Sequence, residues 1–156
     1  MVSRPERAFR IADGRYPLVD GTGAFLQGAR WNSPGHRVIY ASESYAGALL
    51  ETLVHTRIGK LPRHHMWIEI EIPPSVSVET IRSADLPEWD AFDSPAARGF
   101  GDSWIAQQRT AVLVVPSLAA SGLEHNILIN QDHPEFSQLR ASKPQPTVLD
   151  ARLFLR

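Results

Sequence analysis

"GARWNSPGHRVIYASESYAGALLET", residues 28–52, brings an arginine, a tyrosine and a glutamate into one short run whose period changes halfway along. Up to Ala41 it reads as extended chain, with residues 29–32 as one extended piece, Ser33-Pro34-Gly35 as a tight turn and "RVIYA" as a strand. From there the period is that of a helix: Ser42 is the expected N-cap, Glu43 falls in the first turn, and Ala46, Leu49, Leu50, Leu53, Val54 and Ile58 follow at helical spacing. Arg30 and Tyr40 flank the turn and can face one another. Glu51 and His55 lie four apart beside the apolar stripe, so one helical edge carries a carboxylate and an imidazole.

Outward from this run, "AFRIA" (residues 8–12) is a short strand ended by Asp13-Gly14 and Pro17, so Arg10 projects from a strand, and Gly21, Gly23 and Gly28 mark a glycine-rich turn. "HMWIEIEI" alternates, with Met66, Ile68, Ile70 and Ile72 on one face and His65, Trp67, Glu69 and Glu71 on the other, until Pro73-Pro74 stops it. Ser94-Pro95 opens a helix that runs to about Gln108. "TAVLVVPS" and "HNILIN" are buried strands, and "TVLDARLFL" is expected as a last one. Without a repeat or linker, this order predicts an α+β fold: one domain over residues 1–156, with a mixed or mostly antiparallel sheet and a few helices.

The composition narrows the function classes. Sixteen Lys and Arg against 17 Asp and Glu give a net charge of -1 and no basic stripe, which disfavours direct nucleic-acid binding. The absence of cysteine excludes a disulfide framework or a thiolate zinc site and fits a reducing compartment. The first residues lack an apolar leader and "AVLVV" is too short to cross a bilayer, so a cytoplasmic protein with no membrane attachment is expected. The six histidines do not fall at metal-ligand spacings, so no metal site is expected, and a histidine pair acting on RNA would lack basic surroundings. The glycines do not match a dinucleotide fingerprint, and Walker A, H-E-x-x-H and G-x-S-x-G motifs are absent.

On spacing alone, Arg30 is an ordinary strand arginine, Tyr40 a half-buried strand aromatic, Ser117 a strand-ending turn residue, and Glu51 with His55 a solvated helical pair. Taken together, however, "GARWNSPGHRVIYAS", "ALLETLVH", "VLVVPSL", "NILINQDHPEF" and "LDARLF" resemble the RES family, named for its Arg, Glu and Ser. The resemblance runs from about Arg10 to Phe154. It implies a fold like that of the ADP-ribosyltransferase toxins, NAD+ as substrate, and a partner in an Xre-type helix-turn-helix antitoxin, because family members are toxins of bacterial type II toxin-antitoxin pairs. Some members hydrolyse or phosphorolyse NAD+, and at least one type transfers ADP-ribose to a phosphoribosyl-pyrophosphate synthetase.

The resemblance also implies roles. Glu51 would stabilise the positive centre formed when the nicotinamide-ribose bond breaks. Arg30, with Arg10, would grip the pyrophosphate through paired charge-assisted hydrogen bonds. Tyr40 would pack on the nicotinamide, Ser117 would donate to the ribose or the amide, and His55 and Asn126 would stand behind these groups. In most ADP-ribosyltransferases the catalytic glutamate comes late in the chain on a strand, which would select Glu124 or Glu135; neither lies in a RES motif, and Glu51 is preferred. The expected reaction passes ADP-ribose to water or phosphate and depletes NAD+. One alternative is transfer to a host protein docked on residues 84–104, although that segment reads more simply as a helical insertion packed on the sheet. The other is an inactive module that binds a nucleotide or a partner, against which the filled Arg30, Tyr40, Glu51 and Ser117 positions speak.

Overall fold

Alternating apolar runs supply the strands, and proline, glycine and serine set their limits. The structure is a computed structural model that describes residues 2–56 and 62–154. In chain order its elements are β1 (Arg7–Asp13), α1 (Thr22–Gln27), β2 (Val38–Ser42), α2 (Tyr45–His55), β3 (His65–Glu71), β4 (Val78–Thr80), α3 (Pro95–Ala106), β5 (Val112–Pro116), β6 (His125–Asn130), β7 (Arg140–Ala141) and β8 (Gln145–Pro146). The strands form one sheet in the order β4-β5-β6-β2-β1-β3-β7, with β8 also on β3. Among the described residues only β4 and β5 run parallel; the other pairs are antiparallel, as expected of this α+β chain.

Two apolar layers sandwich the sheet. On one face Ile39 and Ala41 of β2 join Ile127 and Ile129 of β6, Val112 and Val114 of β5, and Ile68 and Ile70 of β3. The alternate residues Val38, Leu113, Val115 and Leu128 face a second cluster built on Trp31, Trp89 and Trp104. α3 carries Trp104 into this layer and approaches so closely that a Cβ at Gly101 would collide with the Trp31 carbonyl.

The feature that matters for function is a parted pair at the centre. β1 pairs with β3 over seven positions and β2 with β6 over five, yet β1 meets β2 only at Phe9 opposite Ser42. The sheet therefore opens between β1 and β2. Arg10 spans the opening: its Nε donates to the Leu18 carbonyl at 2.7 Å and its NH1 to the Tyr40 carbonyl at 2.7 Å.

Several expectations are corrected. The glycine-rich stretch is not a turn but holds α1, ended at Gly28, whose φ of 70° suits glycine. Residues 29–32 are not extended. They form a tight turn closed by Ala29 N to Asn32 O (2.9 Å) and Asn32 N to Ala29 O (3.3 Å), with Arg30 and Trp31 at its tip. The cap of α2 is Ser44 rather than Ser42, because Ser42 ends β2 while Ser44 accepts from Gly47 N at 2.9 Å. α2 buries the small Ala48 and Thr52, not the stripe read from the sequence; Ala46, Leu50 and Val54 are exposed, and Ile58 lies outside the described residues. Residues 147–155 are no strand in their described part: Asp150 accepts from Arg152 N at 2.9 Å and the chain coils into a 3-10 turn, Ala151–Phe154.

Candidate active site

The opening between β1 and β2 continues into a cleft of about 930 Å³, roofed by α1 and α2. Its size is that of a small-molecule site. Six of the seven residues expected at the site line it: Arg10, Arg30, Tyr40, Glu51, His55 and Asn126. The seventh, Ser117, is buried behind Glu51 and does not line the cleft.

Glu51 faces the cleft from α2, and its two carboxylate oxygens have different surroundings. Oε1 accepts from Asn126 Nδ2 at 2.9 Å and from Ser117 Oγ at 3.2 Å. Oε2 accepts from none of the described residues and is not a buried orphan, so it is the accessible oxygen of a side chain that lines the cleft. The Ser117 hydroxyl, expected to donate to a substrate, thus donates to Glu51. The late-chain alternatives lie elsewhere: Glu124 accepts from Ser44 Oγ at 2.6 Å, and Glu135 accepts from Ser77 N and Oγ at 2.6 and 2.7 Å, which holds its carboxyl below the ordinary range. Neither lines the cleft.

The uncommon tripeptide Arg30-Trp31-Asn32 divides three tasks within one turn. Trp31 is buried in the second core cluster. Asn32 is fully buried, donates to the Ala24 and Ser33 carbonyls at 3.2 and 2.9 Å, and accepts from Tyr40 Oη at 2.7 Å. Arg30 is left at the cleft wall, where its NH1 donates to the carbonyls of Trp89 (3.1 Å) and Ala91 (3.0 Å), and its Nε and NH2 have no partner among the described residues.

Tyr40 is fixed at both ends of its hydroxyl, donating to Asn32 and accepting from Trp31 N at 3.2 Å. Burial raises its phenol above the ordinary value, so it stays protonated and presents a ring to the cleft. Arg10 keeps its charge although burial lowers its pKa, an effect that Asp20 opposes. Its bonds to Leu18 and Tyr40 give it a structural task beside any ligand contact.

Asp20, Phe9 and His65 also line the cleft and were not singled out from the sequence. Asp20 follows a proline turn without local signal, and Phe9 and His65 become wall residues only because the sheet parts beside them. A second groove of about 770 Å³ lies at the β3–β7 edge by Arg4, Arg7 and Glu69, away from all the candidate residues, and there Arg7 pairs with Glu69 at 3.3 Å while Arg4 donates to the Pro73 and Val76 carbonyls.

Fold and cleft together define an α+β protein with a nucleotide-sized site at a parted central strand pair, armed with one half-tethered carboxylate and two arginines. The RES domain model matches residues 5–150, and the chain belongs to the RES family, as its motifs implied. Among its relatives, the "Prs ADP-ribosylating toxin" of Sphingobium sp. (strain YBL2) is 41% identical over 141 residues, 86% of each chain. A "Toxin Res" of Yersinia enterocolitica is 33% identical over 150 residues, covering 93% of this chain and 97% of the relative. The fold also matches a chain of the crystal structure of the M. tuberculosis MbcT-MbcA toxin-antitoxin complex, with a TM-score of 0.76 and 16% identity over 96% of this chain and 86% of that one.

Proposed function

We propose that the chain is the toxin of a toxin-antitoxin pair, that residues 1–156 act as one RES domain, and that it breaks the nicotinamide-ribose bond of NAD+ in this cleft. The observation that carries the reading is Glu51: a carboxylate with one oxygen tethered and the other open, in an arginine-bearing cleft large enough for a dinucleotide. The names of the relatives, toxins and an ADP-ribosylating toxin among them, support it.

Heterolysis sends the electron pair of the C–N bond to the ring nitrogen, so the pyridinium leaves as neutral nicotinamide and the ribose carbon becomes oxocarbenium-like. The open oxygen of Glu51 stabilises that developing charge. Arg30 offers Nε and NH2 to the pyrophosphate, Tyr40 packs its ring against the nicotinamide, and Arg10 holds the cleft floor while its remaining donors face the ligand. Water or phosphate then bonds to the ribose carbon and releases its proton to solvent, depleting NAD+ in the cytoplasm and arresting growth. No metal takes part in this scheme.

A second reading is favoured by the 41% identical relative: a protein side chain replaces water, and the chain is a mono-ADP-ribosyltransferase. The partner in either case is an antitoxin, taken to be of the Xre helix-turn-helix type, and the toxin-antitoxin complex of the structural neighbour supports such a pairing. The test is nicotinamide release by the purified chain in buffer, with phosphate, and with cell extract. Release in buffer or with phosphate supports NAD+ degradation. Release only with extract, with label on one protein, supports the transferase; no release under any condition leaves an inactive binding module.

A further inference from the structure

We propose that Asn126 is a positioning residue for Glu51, with Ser42 fixing which end of its side-chain amide meets the carboxylate; the inference rests on Glu51 being the working carboxylate of the proposed reaction. Asn126 sits on β6 between two ladders, opposite Ser42 on β2 and Val115 on β5, so its backbone is held from both sides. The buried Ser42 hydroxyl donates to Asn126 Oδ1 at 3.2 Å, and Asn126 Nδ2 donates to Glu51 Oε1 at 2.9 Å. An amide has a donor end and an acceptor end. By occupying the acceptor end, Ser42 aims the donor end at Glu51.

This polar pair is not needed for packing. Ser42 and Asn126 share their sheet face with Tyr40, Val115 and Leu128, and an apolar pair of the same shape would satisfy that layer without polar groups to pair. What the polar pair adds is a fixed donor for Glu51. Together with Ser117 it saturates Oε1 and stops the carboxylate from rotating, so that Oε2 alone addresses the ribose. A freely rotating glutamate would spend much of its time turned away.

The experiment compares wild type with Asn126→Ala, Asn126→Asp and Ser42→Ala, measuring nicotinamide release and solving each variant's crystal structure. Asn126→Asp is the sharpest variant, since it keeps the size and the Ser42 bond but loses the donor. The expected result is a kcat lowered about tenfold to a hundredfold in both Asn126 variants, with KM within about twofold, a smaller loss in Ser42→Ala, and Glu51 displaced or in several conformers. Wild-type kcat in Asn126→Asp, or Glu51 unmoved in its structure, overturns the proposal. If wild type itself releases no nicotinamide, the reading of the reaction falls, and the structures alone decide: Glu51 displaced supports positioning by Asn126, and Glu51 unmoved refutes it.

Discussion

Tyr40 ties the cleft wall to the turn beside it. Its hydroxyl joins β2 to the turn that carries Arg30, through Asn32 Oδ1 and Trp31 N. Tyr40→Phe leaves those two buried groups without a partner, at a cost of about 1–3 kcal/mol, while the ring still walls the cleft. Denaturant unfolding and nicotinamide release together give the answer: stability falls and kcat stays within a few-fold of wild type, whereas a kcat collapse at unchanged stability would make the phenol catalytic. Glu51 is held by one oxygen alone. Its Oε1 accepts from Ser117 and Asn126, while Oε2 has no partner among the described residues and Glu51 lines the cleft.

At the scale of elements, α3 packs closely behind the Arg30-Trp31-Asn32 turn that carries Arg30 and Trp31 to the cleft wall. Gly101→Ala drives a methyl group into the Trp31 carbonyl and is expected to destabilise by about 1–3 kcal/mol, read as a lowered denaturant midpoint. Elements with a strong period were legible in the sequence: "HNILIN" is β6 to the residue, and the alternation at Ile68, Ile70 and Ile72 gives β3 and its buried face. Those decided by tertiary contacts were not. α1 hides behind two glycines, and α2 presses Ala48 and Thr52 on the sheet because small residues allow a close approach, leaving Leu50 and Val54 outside. The 3-10 turn at Ala151–Phe154 follows from Asp150 bonding its own neighbours, a local choice that the apolar pattern of "TVLDARLFL" conceals. Of the cleft-lining residues, Arg30, Tyr40, Glu51, His55 and Asn126 were legible in motifs and Arg10 in the strand ahead of them, but the placement of Ser117 behind Glu51 depends on how β5 ends beside α2 and has no signal in spacing.

For the whole molecule, the opening between β1 and β2 is the candidate site, bridged within the sheet by one register pair and the Arg10 bond to Tyr40, while the apolar layer on one face runs unbroken beneath it. His65, at the start of β3, lines this cleft; burial lowers its pKa, with Asp13 opposing and His64 adding to the shift. A histidine whose folded pKa is depressed binds fewer protons in the folded state, so its contribution to stability is complete above about pH 6.5 and is lost as pH falls through the folded value. The midpoint of thermal unfolding is therefore expected to drop on acidification below about pH 6.5, and to drop less in His65→Gln; parallel curves for the two proteins would remove His65 from the account.

The most direct test of the central claim is nicotinamide release from NAD+ by wild type beside Glu51→Gln, which keeps the size of the side chain and removes its charge. Wild type is expected to release nicotinamide, and a folded Glu51→Gln to lose about a hundredfold or more of that turnover. Equal turnover by the two would contradict the claim and would move the chemistry to another residue of the cleft.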